Sequence, residues 1–412
     1  MNIALLHYSA PPVVGGVESV LAQHARLMAQ AGHSVRVVAG RGQPGSAPIE
    51  WEFQPLMDSR HPEVLAVKAA LDAGAVPLGF ARLRDQLAAA LEKQLRTVQV
   101  VVAHNICSLH KNLALTAALQ QLNQVSGGPR FILWHHDLAW AAPRYRAELH
   151  EGYPWNLLRE AAAWPTATHV TVSEQRRREL AELTGLTPER ITVIPNGVDR
   201  TAFFKLEPQT QALVDAMQLA EAEPLLLLPA RLTPRKNIEL ALRTLAELRR
   251  DWPRAMLLVT GPEGPHNPAN AAYKQSLLAL RAELNLQQAA HFVAEHSSEF
   301  LPDAVIADFF RVAHALFFPS RDEGFGIPLV EAALSRLPVF CADLPALREV
   351  GGAEATYFAP EANPASVAAL ITQRLRAEAT FGFAARAQQR FTWEAIYAAH
   401  LAPLFAHPEG RA

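Results

Sequence analysis

Short apolar runs alternate with longer amphipathic stretches along most of this 412-residue chain. The apolar runs have the length of buried strands, and the stretches between them have helical spacing, as in GVESVLAQHARLMAQAGH (16–33) and ARLRDQLAAALEKQLRT (81–97). The first half has predicted strands at 2–8, 34–40, 98–104, 130–136, 168–173 and 191–197. The second half has them at 224–231, 255–261, 289–294, 314–320 and 337–343, with helices at 237–250 and 273–284. The alternation predicts parallel sheets covered by helices.

The alternation is interrupted between residues 200 and 222, and the length exceeds that of one typical core. We therefore predict two doubly wound, Rossmann-like α/β domains, 1–205 and 206–388. In such folds ligands bind outside the carboxyl ends of the strands, so we expect the two domains to face each other across a cleft that holds the site.

Composition narrows the class of protein without identifying it. Apolar residues make up 50% and charged residues 19%, and a net charge of −2 gives no reason to expect nucleic acid as a partner. Two cysteines, Cys107 and Cys341, are too few for a disulfide framework and suit a reducing compartment. The first residues lack a basic leader region, and no apolar run is long enough to span a membrane. We expect a soluble cytoplasmic protein.

The segment SRDEGFGIPLVEAALSR (320–336) carries two carboxylates, Glu323 and Glu331, on either side of a glycine-rich run. Pro328 suits the first position of a helix, and Gly324 and Gly326 let the backbone approach a ligand closely. A helix N-terminus favours a bound phosphate. The alternative is a plain turn followed by a helix whose dipole Glu331 complements.

A basic turn, RLTPRKN (231–237), follows a predicted strand of the second half. Arg231 and Lys236 are suited to clamp a diphosphate, the arginine by forked hydrogen bonds and the lysine as a point charge. A solvated turn that also includes Arg235 is the alternative.

Two features of the first half are further candidates. Gly15 and Gly16 precede a predicted helix, where backbone N–H groups suit a phosphate. His135 ends a strand, where a side chain reaches the expected cleft, although a structural role is equally open. His136 and Asp137, in the same loop, are weaker candidates.

Several motifs are absent from the sequence. No G-x-G-x-x-G follows the first strand, and neither a P-loop nor a G-x-S-x-G elbow occurs. D-x-D, H-E-x-x-H and paired C-x-x-C are also absent. We therefore predict no cofactor and no metal, and assign neutralisation of a diphosphate to Arg231, Lys236 and a helix dipole.

Five motifs occur in order along nearly the whole chain: GGVE (15–18), NGVD (196–199), ARLTPRKN (230–237), FFPSRDEGFGIPLVEA (317–332) and RFTWEAIYAAHLAPLF (390–405). With them the chain resembles the GT-B retaining glycosyltransferases of family 4, which carry the E-x7-E signature. The resemblance implies that the last segment, 389–412, crosses back to the first domain.

The resemblance also implies roles for individual residues. Glu331 would bind the ribose hydroxyls of a nucleotide, and Glu323 would meet hydroxyls of the donor sugar. The implied catalytic residues are His135, Arg231, Lys236 and Glu323. The implied donor-binding residues are Gly16, Arg231, Lys236, Gly261, Val293, Ser320, Glu323, Gly324, Phe325, Gly326, Ile327 and Glu331. Gly16 would give its N–H to the diphosphate or leave space for the acceptor.

Two positions depart from the family pattern. Asn237 stands where the family often has glycine, and because asparagine tolerates left-handed conformations we expect little consequence. HFVAEHSSE (291–299) lacks a glycine that often follows this strand, which leaves the base of the donor open between UDP and GDP.

The implied activity is metal-independent, retaining transfer of a hexosyl group from a nucleotide-diphosphate sugar to an acceptor hydroxyl, by front-face substitution. The segment 135–165 is rich in Trp, Tyr and Arg and lies in the acceptor-side domain, although a structural excursion over the sheet explains it equally well. The acceptor candidates are Gly15, His104, Trp140, Arg144, Tyr145 and Arg146.

We expect a small sugar-like or anionic acceptor. A lipid or polysaccharide acceptor, with peripheral membrane contact, is the alternative. A GT-B nucleotide-sugar epimerase, a phosphorylase and a non-catalytic sugar-binding subunit are the rivals of another class.

Overall fold

The computed structural model describes residues 1–262, 269–297 and 300–406. Parts of the loops after the predicted strands 255–261 and 289–294, and the last six residues of the segment 389–412, lie outside the described residues. The chain divides into two compact units, Met1–Val198 together with the chain from Arg390 onward, and Asp199–Gln389. The sequence pattern predicts the first boundary seven residues later, between residues 205 and 206.

The first unit contains a seven-stranded sheet in the order β3-β2-β1-β4-β5-β6-β7. All its strand pairs are parallel, and Leu5 in its first strand lies opposite Val37 and Val102 in the two neighbouring strands. Its strands are β1 Asn2–His7, β2 Ser34–Ala39, β3 Glu50–Phe53, β4 Val100–His104, β5 Arg130–His135, β6 Thr168–Thr171 and β7 Ile191–Val193.

Helices cover both faces of this sheet. Leu5 packs on one face with α1, and Leu6 packs on the other face with α2 to α4, because successive strand side chains point to opposite sides. The helices are α1 Gly16–Gln30, α2 Pro62–Asp72, α3 Leu78–Gln94, α4 Leu113–Asn123 and α5 Glu174–Thr184. The apolar runs of the sequence are therefore strands buried on both faces.

The second unit contains a six-stranded sheet in the order β10-β9-β8-β11-β12-β13. All its strand pairs are parallel as well. Its strands are β8 Leu225–Leu228, β9 Met256–Val259, β10 Ala290–Phe292, β11 Ala315–Phe318, β12 Val339–Ala342 and β13 Thr356–Phe358. The order places its first strand centrally, as in doubly wound dinucleotide-binding folds.

Helices again lie on both faces, with α8, α9 and α13 on one and α7, α10 and α11 on the other. The helices of the unit are α6 Arg200–Phe204, α7 Pro208–Ala216, α8 Ile238–Asp251, α9 Ala269–Glu283, α10 Asp303–Val312, α11 Ile327–Leu334, α12 Pro345–Gly351, α13 Pro364–Ala377 and α14 Ala379–Arg390. The prediction of two doubly wound, Rossmann-like domains is confirmed.

Two strands of the structure are not predicted by the sequence pattern. β3 (EWEF) and β13 (TYF) are short, half-buried edge strands. Because an edge strand need not be apolar on both faces, neither segment shows the apolar run that marks the central strands.

After α14 the chain returns to the first unit through α15 Trp393–Ile396, a π-helical turn Tyr397–Leu401 and α16 Ala402–Ala406. Trp393 is 3% exposed and packs in the same core as α1. The backbone N–H of Val198 donates to the Phe391 carbonyl at 2.8 Å. A Cβ on Gly197 would lie 2.7 Å from the Trp393 ring, so a glycine is required there.

Within the described ranges, no helix is both long and apolar enough to cross a membrane.

We predict that Trp393→Ala lowers the free energy of unfolding of the first unit by about 4 kcal/mol, because it empties a closely packed site. Glu394→Ala is the matched control, since Glu394 is 65% exposed and its ion pair with Arg26 at 3.3 Å is at the surface. The control should cost less than about 1 kcal/mol. Urea unfolding measures both variants. Equal losses would show that the buried Trp393 ring stabilises the first unit no more than the exposed Glu394 does.

Candidate functional site

The carboxyl ends of β8 and β11 are neighbours in the second unit, because these two strands pair directly. The loop 229–237 follows β8, and the loop 319–326 follows β11. The two loops carry the basic turn and the first carboxylate that the sequence analysis selected. They therefore meet at the edge of the sheet where ligands bind in this type of fold.

Lys236 and Glu323 are in direct contact through Nζ and Oε1, and each side chain is 10% exposed. Arg235 Nη1 lies 3.7 Å from the other carboxylate oxygen of Glu323. Burial lowers the pKa of Lys236, and the hydrogen bond to Glu323 opposes that shift. The Lys236 ammonium also lies 4.7 Å from the centre of the Phe318 ring. The structure thus joins two predicted site residues that are 87 positions apart in the sequence.

Gly261 supports the turn that carries Arg231. Its N–H donates to the Ala230 carbonyl at 3.1 Å. A Cβ at this position would lie 2.3 Å from that same carbonyl oxygen, so only glycine fits. The exposed Arg231 guanidinium lies 5.1 Å from the centre of the Phe300 ring.

The N-terminus of α11 depends on Gly326, which has φ +98° and would place a Cβ 2.5 Å from Leu347 Cδ2. This glycine is the N-cap, so Pro328 occupies the second helical position, and the prediction of the first position was wrong by one residue. The N–H that proline lacks has no partner within a helix at either position. Gly324 lies in open space, and Phe325 and Ile327 are 55% and 62% exposed.

Glu331 lies in the second turn of α11 and is partly exposed. Burial and the nearby Asp303 carboxylate raise its pKa. Within the described residues its side chain has no hydrogen-bond or ion-pair partner, so the carboxylate is available to a ligand. Asp303 was not predicted as a site residue, because only the fold brings α10 beside α11.

The two remaining donor-site candidates of this unit are buried. Ser320 is 0% exposed, and its Oγ has no hydrogen-bond partner among the described residues. Val293 is 2% exposed, and its side chain packs in the core on the sheet face that α7, α10 and α11 cover.

In the first unit, histidines collect at the carboxyl edge of the sheet. His135 Nε2 lies 3.1 Å from His169 Nδ1, with the two rings stacked, and His104 Nδ1 lies 3.1 Å from His136 Nε2. Burial lowers the pKa of all four imidazoles, so all four are neutral at pH 7. His135 ends its strand as predicted, and its contact with His169 is also what a structural histidine would make.

Gly15 and Gly16 lie at the start of α1, where Gly15 is the N-cap. The Glu18 side chain folds back over this end, with Oε2 only 2.1 Å from where a Cβ on Gly15 would be. Ser9 Oγ donates to the other carboxylate oxygen of Glu18 at 2.6 Å. Apart from its chain neighbours and the backbone of its own helix, no heavy atom of the described residues lies within 4 Å of a Cβ built on Gly16, so space remains there for a ligand.

The segment 135–165 forms three short 3-10 turns that pack on the core of the first unit. Trp140 Nε1 donates to the Trp155 carbonyl at 3.2 Å, and the Tyr145 ring lies 4.8 Å from the His110 ring. Both aromatic candidates are thus partly engaged within the protein. Arg144, which lies 3.9 Å from Asp137, is 65% exposed in its side chain, and Arg146 is exposed as well.

One group of metal-ligand type occurs in the described part of the chain: Asp72, His110 and Glu148. Lys68 Nζ contacts Asp72 Oδ2 at 2.6 Å and Glu148 Oε2 at 2.9 Å. Together with the Lys68 ammonium, which contacts both carboxylates, this group forms an ion-pair network.

We predict that Glu323→Gln lowers the free energy of unfolding of the second unit by about 3 kcal/mol, because it leaves a buried ammonium without its counter-charge. The double variant Lys236→Met/Glu323→Gln should lose less than the single one, since no unpaired charge remains. Denaturant unfolding measures both. A single variant as stable as the parent would show that Lys236 does not depend on Glu323.

We predict that the first unit loses stability as the pH falls below about 6.5. Burial lowers the pKa of His24 and His136 to about 3 and of His7 and His169 to about 4 from 6.5, so below 6.5 the unfolded chain binds protons that the folded unit does not. Each histidine then costs about 1.4 kcal/mol per pH unit, until the pH reaches its folded pKa. Urea unfolding at pH 7.5 and 5.5 measures the loss.

His24→Leu should reduce this pH dependence of the unfolding free energy by the contribution of one histidine. Both ring nitrogens of His24 lack a hydrogen-bond partner within the described residues, so leucine removes no bond. The exposed His296 provides the control, His296→Gln. An unchanged pH dependence in His24→Leu would contradict a neutral, buried His24.

The similarity to known protein families extends over both units. Residues 14–202 match the family described as Glycosyltransferase Family 4, and residues 210–390 match that described as Glycosyl transferases group 1. The chain is similar to a D-inositol 3-phosphate glycosyltransferase of Kineococcus radiotolerans, with 31% identity over 247 residues, which are 56% of this chain and 55% of that one. It therefore spans about half the length of that relative.

Two further relatives are a D-inositol 3-phosphate glycosyltransferase of Thermobispora bispora and a mannosylglucosylglycerate synthase of Petrotoga mobilis. The alignment with the first relative is 28% identical and covers 95% of this chain and 89% of that protein. The alignment with the second is 24% identical and covers 62% of this chain and 62% of that protein. The two family matches lie one on each unit and include the basic turn and both glutamates. The family predicted from the motifs is thus confirmed, and this chain belongs to the family 4 glycosyltransferases.

Proposed function

We propose that this protein is a retaining hexosyltransferase. It moves a hexosyl group from a UDP- or GDP-linked sugar to a hydroxyl group of a small sugar-like or anionic acceptor, without a metal ion. The observation that carries the proposal is the buried Lys236–Glu323 pair, which lies at the carboxyl edge of the second sheet beside the N-terminus of α11.

The donor would lie along this edge with its diphosphate at the cations. Lys236, Arg235 and Arg231 follow one strand and can neutralise the phosphates, and the first turn of α11 offers N–H groups without helical partners. Glu331, four residues beyond the start of α11, would accept hydrogen bonds from the two ribose hydroxyls. Its carboxylate has no partner within the described residues, which supports this assignment.

Binding of the donor would weaken the contact between Lys236 and Glu323. The diphosphate competes for the ammonium, and the Glu323 carboxylate can then accept a hydrogen bond from a hydroxyl of the donor sugar. As the bond between the anomeric carbon and the phosphate oxygen breaks, negative charge grows on the leaving diphosphate, where Lys236 and Arg231 stabilise it.

The transfer step follows a front-face course in this proposal. The acceptor oxygen forms its bond to the anomeric carbon on the face that the diphosphate leaves, and the acceptor proton passes to the leaving phosphate oxygen. His135, neutral and buried, would lie near the transferred sugar. A sugar trapped covalently on any side chain would overturn this mechanism.

The acceptor would bind to the first unit. Three observations support an anionic or sugar-like acceptor: the exposed Arg144 and Arg146, the space at Gly16, and relatives whose names specify an inositol phosphate or a glycerate glycoside. Incubation with each nucleotide-hexose and a panel of sugar phosphates, with product analysis of the new anomeric centre, tests the acceptor class and retention. Activity that persists in EDTA supports metal independence.

We predict that UDP or GDP, at 100 times its dissociation constant, stabilises the protein by about 2.7 kcal/mol, which a thermal melt detects. Glu331→Ala should reduce the shift, because the ribose loses its acceptor. The control is Glu349→Ala, an exposed glutamate of the neighbouring α12, which should keep the full shift.

Each contrary outcome identifies a different error. An equal shift in Glu331→Ala would show that Glu331 does not bind the ribose. No shift with either nucleotide would contradict the donor site. Isomerisation of the nucleotide-hexose without an acceptor would indicate an epimerase. Nucleotide binding with neither reaction would indicate a sugar-binding subunit.

A further inference from the structure

Arg321 connects the two loops that carry Lys236 and Glu323. Its backbone N–H donates to the Arg235 carbonyl at 2.8 Å, and its guanidinium Nη2 donates to the Asn237 side-chain oxygen at 3.0 Å. Arg321 therefore contacts the residue on each side of Lys236, and it lies two positions before Glu323.

Asn237 completes the connection. It is 1% exposed and has φ +53°, which glycine would adopt more easily, and its side-chain Nδ2 donates to the Pro360 carbonyl at 2.9 Å. The prediction that asparagine tolerates a left-handed backbone here is confirmed. A glycine would supply the conformation but neither hydrogen bond, so this chain uses the asparagine for more than its backbone.

The turn between these residues is short and tightly bonded. It is the 3-10 turn Pro234–Lys236, in which the Lys236 N–H donates to the Thr233 carbonyl at 3.0 Å and the Asn237 N–H donates to the Pro234 carbonyl at 3.1 Å. A lysine side chain has four rotatable bonds, so where its ammonium rests depends on how firmly its backbone is held.

We propose that Arg321, acting with Asn237, is a positioning residue that holds this turn so that the Lys236 ammonium stays at Glu323, ready for the donor diphosphate. Arg321 acts through Lys236 and does not itself touch the donor. The inference deepens the proposed function and rests on it for the identity of the ligand.

The test is a double-mutant cycle on nucleotide affinity. Calorimetry with UDP and with GDP is carried out on the parent, Arg321→Ala, Lys236→Ala and the double variant. We predict that Arg321→Ala weakens binding about tenfold, the size expected for a lost hydrogen bond of a charged group. In the Lys236→Ala background the same change should cost nothing further, since residues that act through one group are not additive.

Three variants sharpen the result. Asn237→Gly should weaken binding as Arg321→Ala does, while Arg321→Lys, which keeps a charged donor on the side chain, should restore part of the affinity. Arg243→Ala, an exposed arginine of α8, should leave affinity unchanged. Additive losses in the cycle, or full affinity in Arg321→Ala, would overturn the proposal.

A second measurement does not depend on a nucleotide. Hydrogen–deuterium exchange of peptides covering 231–237 should be faster in Arg321→Ala and Asn237→Gly than in the parent and in Arg243→Ala. If neither nucleotide binds the parent, the donor proposal fails and exchange alone decides the role of Arg321. Unchanged exchange in both variants would overturn that role.

Discussion

Parallel pairing of the strands is the constraint on which the rest of this structure depends. Every strand pairing in the two described sheets is parallel, so each strand must return through a crossover, and most crossovers here contain a helix. Consequently the loops after successive strands all emerge at one edge. The basic turn after β8 and the glutamate loop after β11 meet for this reason, although 87 positions separate Lys236 from Glu323.

Buried ionisable groups differ between the carboxyl edges of the two sheets. In the second, Lys236 pairs with Glu323, because a buried charge without a partner carries a large desolvation cost. In the first, the histidines at the sheet edge lose their charge, since burial lowers the pKa of each. A charged pair can exchange partners when an anionic ligand arrives, whereas neutral imidazoles can approach a sugar without a large desolvation cost.

Close backbone contacts hold the second unit's candidate site in place. Gly261 allows one loop to lie against the Ala230 carbonyl, and Gly326 takes the left-handed conformation that starts α11. Asn237 takes a left-handed conformation too, and adds hydrogen bonds that tie its turn to Arg321 and Pro360. The side chains of the site are therefore placed by their loops as much as by the sheet.

The sequence by itself determined the fold class, the central strands and the family, because a strand buried on both faces must be apolar throughout and because the motifs recur in order. It did not reveal β3 and β13, which are edge strands and half-polar. Only the tertiary structure decided that Glu323 is the partner of Lys236, that Asp303 lies near Glu331, and that Arg321 holds Asn237. The physical reason is that these contacts join distant segments, whose approach is fixed by sheet order and helix packing and leaves no local pattern in the sequence.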